Sequence, residues 1–363
     1  MRSAEIRRNG YDRVDCKLED HKQDTSSMSN EPDDDDLDLN FDDVIEKSQE
    51  REIAAIVEKV AVSRLRGQRT AITIGGGSGG IGRSTFAANL GLYLARTGRS
   101  VTLVDLDPAG PALHGYLGLS LKVPTPIEQC SGIDVRWERI EGTTLHLCGP
   151  TAHFIGYDSR DIRLRILQEA STGPSDYLVI DLGRAYDGIS LDVFLDSDVA
   201  ITMSIPQPMA MEQAYGFIRA AMFRQLVHGT SSASARLRSA LSGAKGEAMP
   251  TFRRLTELVR KAFPNDWESL SEAIGDFVPG IILNRCDTRA DREMLRGMIE
   301  GMNRRWAIDA VALGTIDEDD VARQSSKWRR PLVSTYPGAA ITAGIEQVGM
   351  AIMTMYRLER GVQ

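Results

Sequence analysis

The residues between 75 and 85 have the types needed to hold a phosphate group. This segment reads GGGSGGIGRST, and its glycines let successive backbone N–H groups turn toward an anion. A predicted strand precedes the loop and a predicted helix begins near Ser84, so the positive end of that helix adds to the anion site. The Ser84 hydroxyl stands where phosphate loops bind Mg²⁺. The segment therefore predicts a phosphate-binding loop.

Acidic residues end two of the predicted strands that follow this loop. SVTLVDLD brings Asp105 and Asp107 to the end of one strand, and DYLVIDLG brings Asp181 to the end of another. Because the carboxyl ends of parallel strands share one edge of a sheet, these acids are candidates for a ligand site there. The residues alone leave open whether the acids bind a ligand, cap neighbouring helices or stay solvated.

Strands and helices alternate from Thr70 onward. We predict strands at 71–75, 100–107, 145–149, 176–183, 198–204 and 280–287, and helices at 84–97, 161–170, 209–228, 288–304 and 339–358. Strands separated by helices imply parallel crossovers. The predicted fold class is α/β, with a doubly wound, mainly parallel sheet of the P-loop NTPase type flanked by helices. Residues 229–277 are predicted to be a helical insertion that covers the nucleotide edge, binds a partner or adds a packing layer.

The segment before this domain differs from it in composition. The first fifty residues contain seven Lys and Arg against sixteen Asp and Glu, whereas the whole chain has a net charge of −8. Residues 1–41 are predicted to be a disordered acidic tail, either simply solvated or binding a partner through the leucines and phenylalanine of EPDDDDLDLNFDD. Residues 42–68 are predicted to form a helix or linker, and residues 69–363 the folded domain.

Composition argues against several classes of protein. The folded part is nearly neutral, which disfavours a general nucleic-acid binder, although Arg-rich stretches at 251–261 and 285–305 could form a local patch. No apolar run approaches a membrane span, and the start of the chain has no secretory signal, so we expect a cytoplasmic protein. The final predicted helix is amphipathic, but its polar face has few basic residues, so we expect it to pack on the sheet rather than bind a membrane.

The phosphate loop resembles the deviant loop KGGxGK[ST][ST] of the MinD/ParA family of dimerising ATPases. Residues 104–120, VDLDPAGPALHGYLGLS, are similar to the family's DxDxxGxxLHxxLG switch element, and DYLVIDLG is similar to its second acidic strand. Segments beginning at Ser204, Ile282 and Arg329 also match, so the resemblance covers about 70–358. Within the family, the chain looks most like the FlhG-like branch, whose members regulate flagellar number and placement.

The resemblance implies a role for each matching residue. Gly76 is implied to help shape the loop, and the loop residues implied to bind ATP or ADP are Gly77, Ser78, Gly79, Gly80, Ile81, Gly82, Arg83, Ser84 and Thr85. Those implied to act on Mg²⁺ are Ser84 as a ligand, Asp105 as a support and Asp181 through a bound water. Asp107 would orient the attacking water and Gly183 would sense the γ-phosphate. Asn284 would hydrogen-bond the adenine, with Arg285 beside it.

Two positions depart from the family pattern. Ser78 stands where the family has a lysine that reaches the phosphates of the partner subunit, and Arg83 stands where a second lysine bridges the β- and γ-phosphates. Arginine is a longer, planar cation, so Arg83 is expected either to bind phosphates in a shifted geometry or to fold outward. The acids remain, so we expect Mg–nucleotide binding with slow or absent hydrolysis.

Two functions follow from this resemblance. The first is a nucleotide-dependent, dimerising switch that regulates the position or number of a cellular structure, with a protein partner bound by the acidic tail or the insertion. The second is a pseudo-ATPase scaffold that binds no nucleotide and acts through the same two segments. A third hypothesis is that the chain is an active ATPase that uses Arg83 in place of lysine.

Overall fold

The computed structural model describes most of the chain from residue 69 onward. The described ranges are 69–107, 112–120, 135–150, 159–173, 175–184, 187–228, 277–306 and 308–359, together with single residues and short pieces between 257 and 271. All of them belong to the unit Asn40–Gln363. The predicted acidic tail at 1–41 and the predicted helix or linker at 42–68 lie outside the described residues.

Eight strands form one sheet in the described part of the chain. They are β1 Thr70–Gly75, β2 Val101–Asp105, β3 Val135–Arg139, β4 Leu145–Pro150, β5 Tyr177–Asp181, β6 Val199–Ser204, β7 Gly280–Cys286 and β8 Val311–Asp317. Their order across the sheet is β3-β4-β2-β5-β1-β6-β7-β8, and only the β3–β4 pair is antiparallel. The sequence prediction of a mainly parallel, doubly wound α/β sheet is confirmed.

Helices cover both faces of this sheet. The described helices are α1 Arg83–Arg96, α2 Leu113–Tyr116, α3 Ser159–Thr172, α4 Gly188–Leu195, α5 Pro208–His228, α6 Arg289–Trp306, α7 Asp320–Trp328, α8 Leu332–Thr335 and α9 Ala340–Glu359. One core cluster includes Phe194 and Phe217, whose rings meet edge to face at 4.8 Å, and the other includes Phe86 and Leu90 of α1. Since both faces of the sheet are covered, the central strands are apolar on both sides, as buried parallel strands require.

The last helix packs on the sheet, as its composition predicts. Its apolar stripe, formed by Ile341, Ile345, Val348 and Ile352, is buried in the core cluster that also contains α1. The stripe is therefore used in folding and is not presented to solvent. Among the described residues, none of the helices combines the length and the apolar character needed to cross a membrane.

The predicted insertion at 229–277 is described at only a few positions. Residues 257, 260, 261, 267, 268 and 271 are helical. Phe263 and Trp267 pack, partly buried, against the core cluster that contains α4 and α5. These contacts agree with a packing layer at this point of the insertion, whereas its partner-binding role stays a prediction.

Candidate functional site

The glycine-rich loop joins β1 to α1 at the carboxyl edge of the sheet. Gly76 and Gly82 have φ angles of 139° and 93°, which side chains rarely adopt. A Cβ on Gly76 would lie 2.4 Å from the carbonyl oxygen of Met203, and one on Gly82 would lie 2.4 Å from Nδ2 of Asn284. The loop therefore requires glycine at both ends, because the neighbouring strands β6 and β7 approach it so closely.

The remaining loop residues rise from the core to an exposed apex. Gly77 and Ser78 are half-buried, Gly79 and Gly80 are exposed, and Ile81 is buried again. Past the loop, Ser84 and Thr85 are half-buried in the first turn of α1. The apex is thus the part of the loop open to a ligand, while both ends are held by the sheet.

Arg83 turns into the loop rather than outward. Its side chain is buried, and its guanidinium donates hydrogen bonds to the carbonyl oxygens of Gly76 and, at 2.9 Å, Ser78. Of the two orientations left open by the sequence, the outward one is thus not observed. The cation bridges two parts of the loop, so a phosphate group at this place would have to compete with backbone carbonyls for it.

Ser84 and Asp181 form the oxygen-rich pair at the base of the loop. The Ser84 hydroxyl lies beside the Asp181 carboxylate, which accepts a 3.1 Å hydrogen bond from the Gly183 amide. Burial raises the pKa of Asp181, whereas the Ser84 hydroxyl and the positive charge of Arg83 oppose that rise. A hydroxyl and a carboxylate are the hard oxygen donors that Mg²⁺ takes, so these two residues fit the predicted ion.

Asp105 lies beside Asp181 but is engaged differently. The two residues are partners in the β2–β5 pairing, and both are buried. The Asp105 carboxylate accepts hydrogen bonds from the amides of Ala112 at 2.9 Å and Leu113 at 3.0 Å, where α2 begins. Burial, and next the charge of Asp181, raise the pKa of Asp105 to about 8, against the effect of these backbone hydrogen bonds. Asp105 thus anchors the segment after β2, and its support of Mg²⁺ stays a prediction.

Asp107 and Gly183 bring the two post-strand loops together. Gly183 has a φ of 68°, and a Cβ placed on it would lie 2.5 Å from Cβ of Asp107 and 2.7 Å from its Oδ2. The Asp107 carboxylate therefore rests on the backbone of the loop after β5. Asp107 is half-buried, and its orientation of an attacking water stays a prediction.

Asn284 supports the loop from the other side of β1. It is buried at the end of β7, and its Nδ2 donates a 2.7 Å hydrogen bond to the carbonyl of Ile81. The neighbouring Arg285 is exposed, has a φ of 58° and lies with its Nε 3.8 Å from Glu318. Both residues thus lie at the carboxyl edge of the sheet beside the glycine-rich loop, whereas contact of Asn284 with adenine stays a prediction.

Two arginines at this edge were not singled out by the sequence. Arg163 of α3 is buried, donates from Nε to the Leu106 carbonyl at 3.1 Å and pairs with Asp187. Arg184 follows Gly183, and a Cβ on Gly79 would lie 3.2 Å from its Cδ. Nothing in the sequence marks Arg163 except that it lies in a predicted helix. Arg184 could have been found from the sequence, because it is a basic residue directly after the predicted strand DYLVIDLG.

The arginines of α6 do not form a uniformly basic face. Arg289 pairs with Glu293 and Arg296 with Glu300, both at 2.9 Å, while Arg292 pairs with Asp317 of β8 at 2.7 Å. Each of these cations therefore has a carboxylate beside it. Of the two Arg-rich stretches, the one at 251–261 lies almost entirely outside the described residues.

The whole arrangement matches one known family. The sequence profile described as CbiA, the CobQ/CobB/MinD/ParA nucleotide binding domain, matches residues 72–331, which include the loop, the three acids and Asn284. The chain belongs to this family. Membership in the MinD/ParA nucleotide-binding family agrees with the observed sheet order and with the phosphate loop between β1 and α1.

Individual members of the family are distant relatives. Soj, a sporulation initiation inhibitor protein of Bacillus subtilis, is 30% identical over 145 residues, 36% of this chain and 56% of Soj. An iron-sulfur cluster carrier protein of Deinococcus radiodurans is 26% identical over 168 residues, 45% of this chain and 48% of that protein. The chain thus spans about half the length of the curated relatives it matches. A solved MinD from Pyrococcus horikoshii, complexed with Mg-ADP, covers 80% of this chain and 98% of its own at 18% identity and a TM-score of 0.49.

Proposed function

We propose that this member of the MinD/ParA family is a switch that binds ATP or ADP with Mg²⁺ and changes its association with partners accordingly. The observation that carries the proposal is the placement of Ser84 beside the buried Asp181 carboxylate, at the base of a loop whose ends require glycine. It supports the proposal because it aligns oxygen ligands for Mg²⁺ beside the amides that would hold phosphate.

The residues have separate tasks in this proposal. The amides around the exposed apex, at Gly79 and Gly80, would hold phosphate oxygens, and Ser84 and Asp181 would hold Mg²⁺, which neutralises phosphate charge when bound. Asp107 would orient water, and its contact with Gly183 would make the loop after β5 respond to the terminal phosphate. Arg83 would have to leave the Gly76 and Ser78 carbonyls for it to reach a phosphate, which favours slow hydrolysis.

Calorimetric titration with Mg–ADP and with a non-hydrolysable ATP analogue tests nucleotide binding directly. Ser84→Ala is the matched variant, since it removes the hydroxyl from Asp181 but leaves the loop glycines in place. Wild type is expected to bind more tightly with Mg²⁺ than with EDTA, and Ser84→Ala should lose most of that difference. Absence of binding to either nucleotide would reject the proposed switch.

In the proposed switch, the bound nucleotide decides whether two copies of the chain associate. Light scattering in the same titrations is expected to show a homodimer with the triphosphate analogue and a monomer with ADP. Relatives named for chromosome partitioning, in Myxococcus xanthus, and for septum placement, in Arabidopsis thaliana, support spatial regulation of a cellular structure as the role. The FlhG-like branch, with regulation of flagellar number and placement, is the more specific version of the same proposal.

A nucleotide-free scaffold is the second candidate, and the orientation of Arg83 favours it. The Arg83 guanidinium already donates to the Gly76 and Ser78 carbonyls, so the positive charge expected to meet a phosphate is engaged within the loop itself. A melting temperature that does not rise with Mg–ATP would support the scaffold, because a ligand of the native state must raise it. In that case, the acidic tail and the 229–277 insertion become the segments expected to bind the partner.

Hydrolysis is tested apart from binding. Phosphate release at saturating Mg–ATP is compared between wild type and Asp107→Ala. A slow rate that falls further in the variant would support an ATPase that uses Arg83 in place of lysine. Equal rates in the two proteins would reject that version and leave a binding switch.

A further inference from the structure

A second arginine stands at the mouth of the phosphate loop. Arg184 comes directly after Gly183 in the loop that follows β5, and its side chain crosses to the apex of the phosphate loop. A Cβ on Gly79 would lie 3.2 Å from Cδ of Arg184 and 3.9 Å from its Nη1. The guanidinium is therefore placed beside the loop residue next to Ser78, at the point where the loop is exposed.

The guanidinium of Arg184 is available to a ligand. Arg184 is exposed, and within the part of the chain that the structure describes it makes no ion pair or hydrogen bond. Arg83 differs in both respects, since it is buried and bound to the Gly76 and Ser78 carbonyls. Of the two described arginines at the loop, Arg184 is thus the exposed one, whereas Arg83 is buried and would have to leave two carbonyls to reach an entering anion.

The acidic residues near the loop would repel a nucleotide, so a cation at the mouth of the loop would help it to bind. The carboxylates of Asp107 and Asp181 lie on the same edge of the sheet as the loop, and the Ser78 side chain brings no charge. A nucleotide would add several negative charges to this edge. Opposite charges at short range and hydrogen bonds from a guanidinium fork would offset that repulsion.

The order of the strands tells which end of a nucleotide Arg184 would meet. β1, which leads into the loop, has β5 on one side and β6 followed by β7 on the other. Asn284 and Arg285, the predicted base contacts, end β7, whereas Arg184 follows β5 beside the predicted Mg²⁺ pair. A nucleotide with its base toward β7 therefore has its terminal phosphate toward β5.

We infer that Arg184 binds the terminal phosphate of a nucleoside triphosphate held in the loop and so distinguishes triphosphate from diphosphate. This inference rests on the proposed nucleotide binding and adds a residue that supplies, from another loop, the charge missing at Ser78. It makes Arg184 a specificity-determining residue, with Arg83 bracing the loop from within.

The test is calorimetric titration of the full chain with Mg–ADP and with a non-hydrolysable Mg–ATP analogue. Arg184→Ala is expected to bind the triphosphate analogue about tenfold more weakly, the size of one hydrogen-bonded charge contact, and ADP within about threefold of wild type. Arg184→Lys should recover most of the triphosphate affinity, since it keeps a cation, and Arg184→Gln should not.

Arg99→Ala is the matched control. Arg99 is also exposed, but it precedes β2 and so lies at the amino edge of the sheet, away from the loop. It should bind both nucleotides as wild type does, and equal melting temperatures of all variants would show that the fold is intact.

The outcomes separate this inference from the proposed function. Wild type that binds neither nucleotide would overturn both. Wild type that binds nucleotide, with Arg184→Ala unchanged or weakened equally for ADP and the triphosphate analogue, would overturn the role of Arg184 alone. A loss confined to the triphosphate analogue and reversed by lysine would establish it.

Discussion

The guanidinium of Arg163 pairs with the carboxylate of Asp187 and thereby joins α3 to the first turn of α4. The same guanidinium donates to the Leu106 carbonyl at 3.1 Å, one residue before Asp107. Asp187 in turn accepts a 2.9 Å hydrogen bond from the Ser190 amide and so caps α4. One buried side chain therefore holds the loops that follow β2 and β5, which carry Asp107 and Gly183.

Loss of this link should destabilise the domain. Arg163→Ala is expected to lower the free energy of unfolding by about 1 to 3 kcal/mol, because the buried Leu106 carbonyl loses a donor and the Asp187 carboxylate keeps only the Ser190 amide among its described donors. Urea denaturation measures the change. Arg165→Ala on the same helix is the control, since its pair with Glu169 is at the surface and is worth less than about 0.5 kcal/mol. Equal losses in the two variants would contradict the special position of Arg163.

The loop glycine before α1 should tolerate no side chain. Gly82→Ala combines a φ of 93° with a clash against Nδ2 of Asn284, which cannot move without breaking its hydrogen bond to Ile81. We expect a loss of about 1 to 3 kcal/mol in unfolding free energy. Gly98→Ala is the control, because Gly98 has a similar φ of 84° but open space around it, and should cost about 1 kcal/mol. A loss at Gly82 no larger than at Gly98 would show that the contact with Asn284 is unimportant.

The buried pair of acids should make the ligand-free protein sensitive to pH. The pKa of Asp105 is raised to about 8 in the folded chain, so between its ordinary value near 4 and about 8 the folded state binds a proton that the unfolded state has lost. Stability should therefore fall as the pH rises through this window and level off above it. Asp105→Asn, which stays neutral, should flatten the fall in melting temperature measured from pH 5 to 9.

If Asp105→Asn showed the same fall in melting temperature with pH as wild type, Asp105 would not be its cause. Asp181→Asn is then the next variant to measure, because burial also raises the pKa of that carboxyl. The measurements belong to the protein without Mg²⁺ or nucleotide, since bound cations would change both titrations.

Replacing Arg83 by lysine should turn the loop toward phosphate. A lysine ammonium is compact and has no fork to bridge the Gly76 and Ser78 carbonyls, so it is expected to be more available to a bound triphosphate. If the chain binds nucleotide as proposed, Arg83→Lys should release phosphate about tenfold faster than wild type at saturating Mg–ATP. Adding Asp107→Ala to this variant should remove the gain, and a rate no higher than wild type in Arg83→Lys would refute the bracing role of Arg83.

The central strands of the sheet could be predicted from the sequence because they have a clear residue pattern. Runs such as AITIG and DYLVIDLG are apolar on both faces, and the helices between them have regular apolar stripes. The strands β3 and β8 were not predicted. β3, VRWER, pairs antiparallel at the sheet edge with one buried residue, and β8, VALGTID, is interrupted by Gly314 at a φ of 150°. Strands that are half-exposed or irregular lack the apolar run that marks a buried strand.

Some features of the candidate site could likewise be predicted from the sequence, and others could not. By itself the sequence determined the glycine loop, the acids that end β2 and β5, and the absence of lysine at positions 78 and 83, because these are properties of residue type and spacing. Only the tertiary structure decided that Arg83 faces the loop carbonyls, that Asp105 anchors α2 and that Arg184 reaches Gly79. Arg83 and Asp105 find their partners five to eight residues away along the chain, but the path of the backbone between strand and helix decides which carbonyl or amide is within reach. The approach of Arg184 to Gly79 joins segments about a hundred residues apart, because the pairing of β5 with β1 brings their loops together, and no local pattern encodes that pairing.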